Sequence, residues 1–145
     1  MDGFIKWKKF TWKSALFLIA LVVVFMILQS RMEKPLLDKR LMEAANEINK
    51  TVPIMVDSVT RFDNAVALTN NKMQYNYTLI FADKESTDTT ILKNHMEPSI
   101  INFIKTDPKS QLFRDNKTTL LFNYRDKNGS YLFNIAISAD KYNDD

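Results

Sequence analysis

The chain has 145 residues, no cysteine and a formal charge of +3. That is room for one small domain beyond a short leader, held together without disulfides. The basic excess comes from Lys6, Lys8, Lys9 and Lys13 against Asp2, so the rest of the chain is neutral. A neutral domain argues against a surface that neutralises nucleic-acid phosphates.

Fourteen consecutive apolar residues, Ala15–Leu28, follow that basic start. As a helix they cover roughly 21 Å, or about 27 Å counted from Trp12 to Gln29, against a hydrocarbon layer of roughly 30 Å. Cleavage after Ser30 would put Leu28 where a signal peptidase wants a small residue. Trp7, Trp12 and Lys13 stand where amphipathic rings and cations favour the membrane interface. The sequence therefore predicts a basic cytoplasmic N-terminus over 1–13, an uncleaved transmembrane signal anchor over 14–30 and an extracytoplasmic α+β domain over 31–145. The absence of cysteine from an exported domain points to a bacterial envelope. The expected location is the bacterial inner membrane, single-pass, with the N-terminus in the cytoplasm and the C-terminal domain in the periplasm.

A helix is expected to begin at Pro35, where Leu37, Leu41, Ala44, Ala45 and Ile48 form one apolar stripe. Pro53 ends it, and residues 52–57 read as an extended connector. Two strands follow around a turn at Asn70-Asn71. In the first, Phe62, Val66 and Leu68 share a face that Asn64 interrupts. In the second, Met73, Tyr75, Tyr77, Leu79 and Phe81 alternate with Gln74, Asn76 and Thr78. Ser86, Thr87 and Asp88 offer N-caps for a second helix, with a stripe of Leu92, Met96, Ile100, Phe103 and Ile104. Pro98 predicts a kink or a break into two short helices near Glu97.

Past Asp107-Pro108 the chain is irregular or briefly helical to Arg114. A last hairpin turns at Asp126-Lys127-Asn128-Gly129, since Asn-Gly supplies positive φ at little cost. The order helix, hairpin, helix, hairpin predicts a four-stranded, mainly antiparallel sheet with helices covering one face.

Candidates for chemistry are few. His95 is the one histidine, alone in a helical segment, where a surface role is the ordinary one. Gly3 and Gly129 are the only glycines, too few for a phosphate loop. No Ser or Thr has the base and acid neighbours that nucleophilic catalysis needs. The expectation is accordingly no catalytic residue, no metal and no cofactor. The densest polar cluster runs from Asp57 through Thr60 and Arg61 to Asp63. It reads as a charged recognition surface or as a salt bridge and turn cap fixing the helix–strand junction. Tyr75 and Tyr77 read as sheet core with hydroxyls at the rim, or as a stacking pair for a ligand.

Pro53, Met55, Val56, Asp57, Thr60, Arg61 and Asp63 spell P-x-M-V-D-x-x-T-R-x-D, and Tyr75, Tyr77, Thr78 and Leu79 spell Y-x-Y-T-L. The pattern resembles small bacterial envelope proteins of unassigned function, and the hairpin at Tyr124-Arg125-Asp126 extends the likeness over residues 36–140. The resemblance implies an exported helix-plus-sheet domain, tethered to the membrane or released from it. Many such relatives carry cysteines that this chain lacks, and no reaction comes with the likeness. The candidate interaction surface is therefore Asp57, Thr60, Arg61, Asp63, Tyr75 and Tyr77.

The reading that follows is a membrane-anchored, non-enzymatic accessory protein, a subunit or assembly factor of a membrane-associated complex. Its partners are the membrane and a membrane-proximal envelope protein or complex. The alternatives are a small-ligand or lipid-binding module, which requires an apolar cavity near Tyr75 and Tyr77, and a hydrolase, which requires Asp57, Arg61 and Asp63 to converge.

Overall fold

The computed structural model describes residues 12–143; within the first helix, side chains are described for Ile19, for 22–28 and from Leu36 onward. Contacts divide the chain into two units, one ending at Pro35 and one spanning Leu36–Asp145. Helix α1 runs over Trp12–Asn49, so it passes through Pro35 instead of starting there. Trp7 lies outside the described residues, and Trp12 and Lys13 open α1. In the first unit Ile19 and the run Val22–Leu28 keep exposed side chains.

The expected transmembrane anchor is not upheld. Among the described residues no helix is long and apolar enough to cross a membrane. The fourteen-residue apolar run covers roughly 21 Å of a roughly 30 Å layer, and charged residues follow it from Arg31 onward. The single-pass placement in the bacterial inner membrane, with a cytoplasmic N-terminus and a periplasmic domain, falls with it.

The second unit is α+β. After α1 come β1 (Ile54–Met55), β2 (Thr60–Leu68), β3 (Lys72–Leu79) and α2 (Thr89–Thr106). A 3-10 turn over Pro108–Ser110 leads into α3 (Gln111–Asp115), β4 (Thr119–Arg125), β5 (Tyr131–Ile137) and α4 (Ala139–Tyr142). The sheet is five-stranded and mixed, in the order β1-β2-β3-β4-β5. This corrects the four-stranded, mainly antiparallel expectation in two places. The connector after Pro53 contributes β1, which pairs with β2 through Ile54↔Phe62 and Met55↔Arg61. The two hairpins meet in parallel, β3 on β4 from Lys72↔Thr119 to Thr78↔Arg125. A parallel joint needs a long crossover, and α2 with the turns after it provides one.

Local chemistry accounts for most of the elements. Leu41 and Ala45 are buried, and Leu37 and Ile48 pack beside them, one helix face laid on the sheet. Asp88 caps α2 by accepting from Thr90 N and Ile91 N at 2.9 and 3.0 Å. Pro98 does not break α2. It removes a single N–H, while Leu92 and Met96 before it and Ile100 and Ile101 after it are all packed on the core.

In β2 the register shifts between Phe62 and Asn64. This bulge changes the phase of the alternation, so Phe62 and Ala65 are buried while Val66 is exposed. The expected shared face of Phe62, Val66 and Leu68 is corrected for that reason. The core is completed by Met73, Leu79, Ile104, Leu120, Phe122, Ile135 and Ile137.

Two polar anchors hold the loops. Asn70 and Asn71 turn at φ 63 and 57, the left-handed pair a two-residue hairpin requires. Asn71 then reaches 45 residues onward. Its Nδ2 donates to the Asn116 carbonyl at 2.7 Å, and its Oδ1 accepts from the Thr118 hydroxyl at 2.7 Å. Thr119 N donates to the Asn71 carbonyl at 3.1 Å, and Asn71 N donates to Asp38 of α1 at 3.2 Å.

The second anchor is Asp126, 1% exposed. Its Oδ1 accepts from Asn128 N and Ser130 N at 2.9 and 2.8 Å, and its Oδ2 accepts from Lys84 N at 3.2 Å. Burial pushes its carboxyl up, but the amides of Ser130, Lys84 and Asn128 outweigh that and hold it below the ordinary 3.8.

Two predictions follow from these anchors. Asn71→Ala leaves the fully buried Thr118 hydroxyl unpaired and puts a Cβ-bearing residue without a side-chain amide at positive φ. It should destabilise the full chain by about 2–4 kcal/mol in urea unfolding, and Asn71→Gly, which keeps the backbone conformation, by less. Because the Asp126 pKa is depressed on folding, its contribution is complete above about 3.8 and is lost as pH falls through the folded-state value. The stability gap between the native chain and Asp126→Asn should therefore be constant near neutral pH and narrow below pH 3.8. A gap that widened in acid would contradict this assignment.

Candidate functional site: an apolar groove beside two tyrosines

Within the second unit, α1 and the C-terminal end of α2 lie over the same sheet face without meeting along their length. A groove of about 650 Å³ remains between them. Phe62, Tyr75, Tyr77, Leu120 and Phe122 form its floor. Ala44 and Ile48 of α1 make one wall, and Phe103 and Ile104 of α2 with Leu112 and Phe113 of α3 make the other. Glu47, Asp107 and Lys109 supply a charged rim.

The floor is a continuous aromatic layer across four strands. Phe62 lies 5.0 Å from Tyr77, Tyr75 stacks on Phe122 at 5.4 Å, Tyr77 on Tyr124 at 5.3 Å, and Tyr124 on Phe133 at 4.9 Å. Such offset pairs add about 0.5–1.5 kcal/mol each beyond burial, so the floor is held from side to side rather than from above. Burial pushes the Tyr77 hydroxyl up to about 12. Burial and the neighbouring Tyr77 raise Tyr75 as well. Both stay neutral at physiological pH and can donate and accept hydrogen bonds within the groove.

The six candidate surface residues do not form one site. Tyr75 and Tyr77 are in the groove. Asp57 turns the chain into β2, accepting from Val59 N and Thr60 N at 2.7 Å each. The Val59 amide holds its carboxyl below 3.8 against the opposing effect of burial, helped by Thr60. Thr60 is buried. Arg61 and Asp63 are on the opposite face of the sheet, where Arg61 Nε donates to Asp63 Oδ1 at 2.5 Å and the Thr78 hydroxyl donates to Asp63 Oδ2 at 2.6 Å. Asp57, Arg61 and Asp63 therefore fail to converge in a pocket, which removes the geometry a hydrolase centred on them needs. His95 has no such setting either: among the described residues no group of three His, Asp or Glu is placed to hold a metal.

Sequence reasoning reached Tyr75 and Tyr77 and missed the walls. Val56 at the mouth is 54% exposed and Phe103 is 58% exposed. Large apolar side chains left open beside a groove are the usual mark of a contact surface. In the sequence, Phe103 belongs to the same helical stripe as Ile104, and the two part company only when α3 packs beside α2.

Residues 36–133 match the family described as a domain of unknown function (DUF8479), and the chain belongs to that family. No curated protein matches the sequence. Among solved structures, a candidate secreted protein of Pseudomonas aeruginosa superposes with a TM-score of 0.63 at 9% identity, over 76% of this chain and 96% of its own. The pilotin EpsS of the Vibrio vulnificus type 2 secretion system gives 0.61 at 10% identity, over 79% and 98%. The pilotin AspS of the Vibrio cholerae type II secretion system gives 0.58 at 10% identity, over 77% and 97%. At such identities the likeness is one of fold.

Proposed function

We infer that this member of the DUF8479 family is a non-enzymatic accessory protein of the bacterial envelope, whose groove binds an apolar segment of a partner in a secretion-type assembly. The observation that carries the reading is the groove itself, open to solvent, floored by stacked rings and rimmed by Glu47, Asp107 and Lys109. An apolar centre within a polar rim is the anatomy of a protein-binding surface. Aromatic anchors dominate the energetics of such contacts. The free tyrosine hydroxyls would fix the register of a bound segment. The fold shared with two type II secretion pilotins supports a protein partner in that setting.

A second reading is favoured by one observation. A volume of about 650 Å³ falls in the range of small-molecule sites, so a small apolar ligand or a lipid chain would also fit.

Val56→Glu and Phe103→Glu place charge on exposed groove residues without touching the buried core, so the melting temperature should hold. Pull-down of the full chain from bacterial envelopes should recover a stoichiometric protein partner, and each variant should reduce that recovery about tenfold or more. Recovery unaffected by both substitutions would overturn the reading. A small molecule released from the purified native chain on denaturation, with no protein partner, would select the ligand reading instead.

A further inference from the structure

The sheet face opposite the groove carries a second pattern, independent of the first. Asn64, Asn76, Asn123 and Asn134 occupy one row across β2, β3, β4 and β5, each in register with the next. Their amides bond head to tail. Asn134 Nδ2 donates to Asn123 Oδ1 at 2.7 Å, Asn123 Nδ2 to Asn76 Oδ1 at 3.3 Å, and Asn76 Nδ2 to Asn64 Oδ1 at 2.6 Å. Amide ladders of this kind form where in-register strands stack identical side chains. The ladder ends at β5 on an unused acceptor, because Asn134 makes a single bond within the chain, as a donor.

The two edges of the sheet are treated differently. At the β2 edge, Asn49 of α1 clamps the backbone of Ala65, donating to its carbonyl and accepting from its N–H, both at 2.8 Å. The short strand β1 covers the rest. Such caps prevent a second strand from adding. Strand β5 has no comparable guard: Tyr131–Ile137 reads YLFNIAI, without a charge or a proline, and pairs on one side only. On the asparagine face its flanking residues are the half-buried Leu132 and the exposed Ala136. A seven-residue, uncharged edge is a template for another strand.

We propose that the chain pairs with a second copy of itself along β5, antiparallel, with Asn134 on the two-fold axis. Asn134 is the middle residue of the strand, so this register uses all of β5 and sets Leu132 against Ala136 of the partner. It also faces the two ladder ends, and each Asn134 donates its second amide hydrogen to the other's Oδ1. A closed two-fold contact leaves no further edge of this kind exposed. One polar amide placed at the centre of an apolar contact also fixes its register.

The chain lacks cysteine, so introduced thiols report the register without background. In the full chain, Leu132→Cys mixed with Ala136→Cys should form an intermolecular disulfide. Either variant alone should not, because its two copies would sit about 14 Å apart along the strands. The mixture should exceed each variant alone by about tenfold. Ala136→Lys, at an exposed position, should turn a dimer in sedimentation into a monomer with an unchanged melting temperature. A monomeric native chain, equal cross-linking in all three samples, association unaffected by Ala136→Lys, or cross-linking to a different protein alone would each overturn the proposal.

Discussion

The second unit depends on the joint between β3 and β4, and that joint depends on Asn71. The two hairpins are separated by about forty residues of α2 and turns, and nothing local forces them to meet in parallel. At the mouth of the joint, Asn71 closes the β2–β3 turn in a left-handed conformation. Its side chain bonds both the Asn116 carbonyl and the buried Thr118 hydroxyl. Its carbonyl takes the first amide of β4. One residue thus ends a hairpin, starts a parallel ladder and, through Asp38, ties α1 to the same corner. Slipping the ladder by one residue would turn the aromatic face of β4 to the wrong side, so the polar lock and the apolar pattern enforce the same register.

Local features were legible in the residues and long-range ones were not. The stripe of Leu41 and Ala45, the Asn70-Asn71 turn, the Asp88 cap and the alternation in β3, β4 and β5 all follow from spacing within a dozen residues. The parallel joint does not, because periodicity gives the faces of a strand but not its neighbour. The bulge after Phe62 was equally hidden, since Asn64 reads as an interruption until its partner Asn76 is known. Arg61 and Asp63 were correctly seen as a pair, and the pair turned out to brace β2 against Thr78. The groove was half legible: Tyr75 and Tyr77 follow from alternation, whereas the wall made by Phe103 and Phe113 exists only after α2 and α3 fold back.

The two sheet faces divide the work between them. On the inner face every strand from β2 to β5 contributes an aromatic ring, and helices cover part of the layer. On the outer face the same strands contribute Asn64, Asn76, Asn123 and Asn134, joined to one another. Each amide satisfied by a neighbour costs little in desolvation, so this face can approach another polar surface without leaving groups unpaired. The bulge at β2 serves both faces, keeping Phe62 and Ala65 inward while bringing Asn64 into the outer row.

An open groove in a domain this small needs a reason, since covering its floor would add stability at roughly 25 cal/mol per Å² of apolar surface. The residues facing it from α1 are small, Ala44 beside the buried Ala45, and they do not reach across to α2. A longer side chain at Ala44 would begin to close the space. The floor meanwhile does not collapse, because each ring is stacked on a neighbour in the next strand instead of relying on a helix above it. Rigid floor, short wall and free hydroxyls together keep the groove formed in the absence of a partner. A preformed groove spares a bound segment the ordering that a collapsed one would require, and this is the physical ground for reading it as a binding surface.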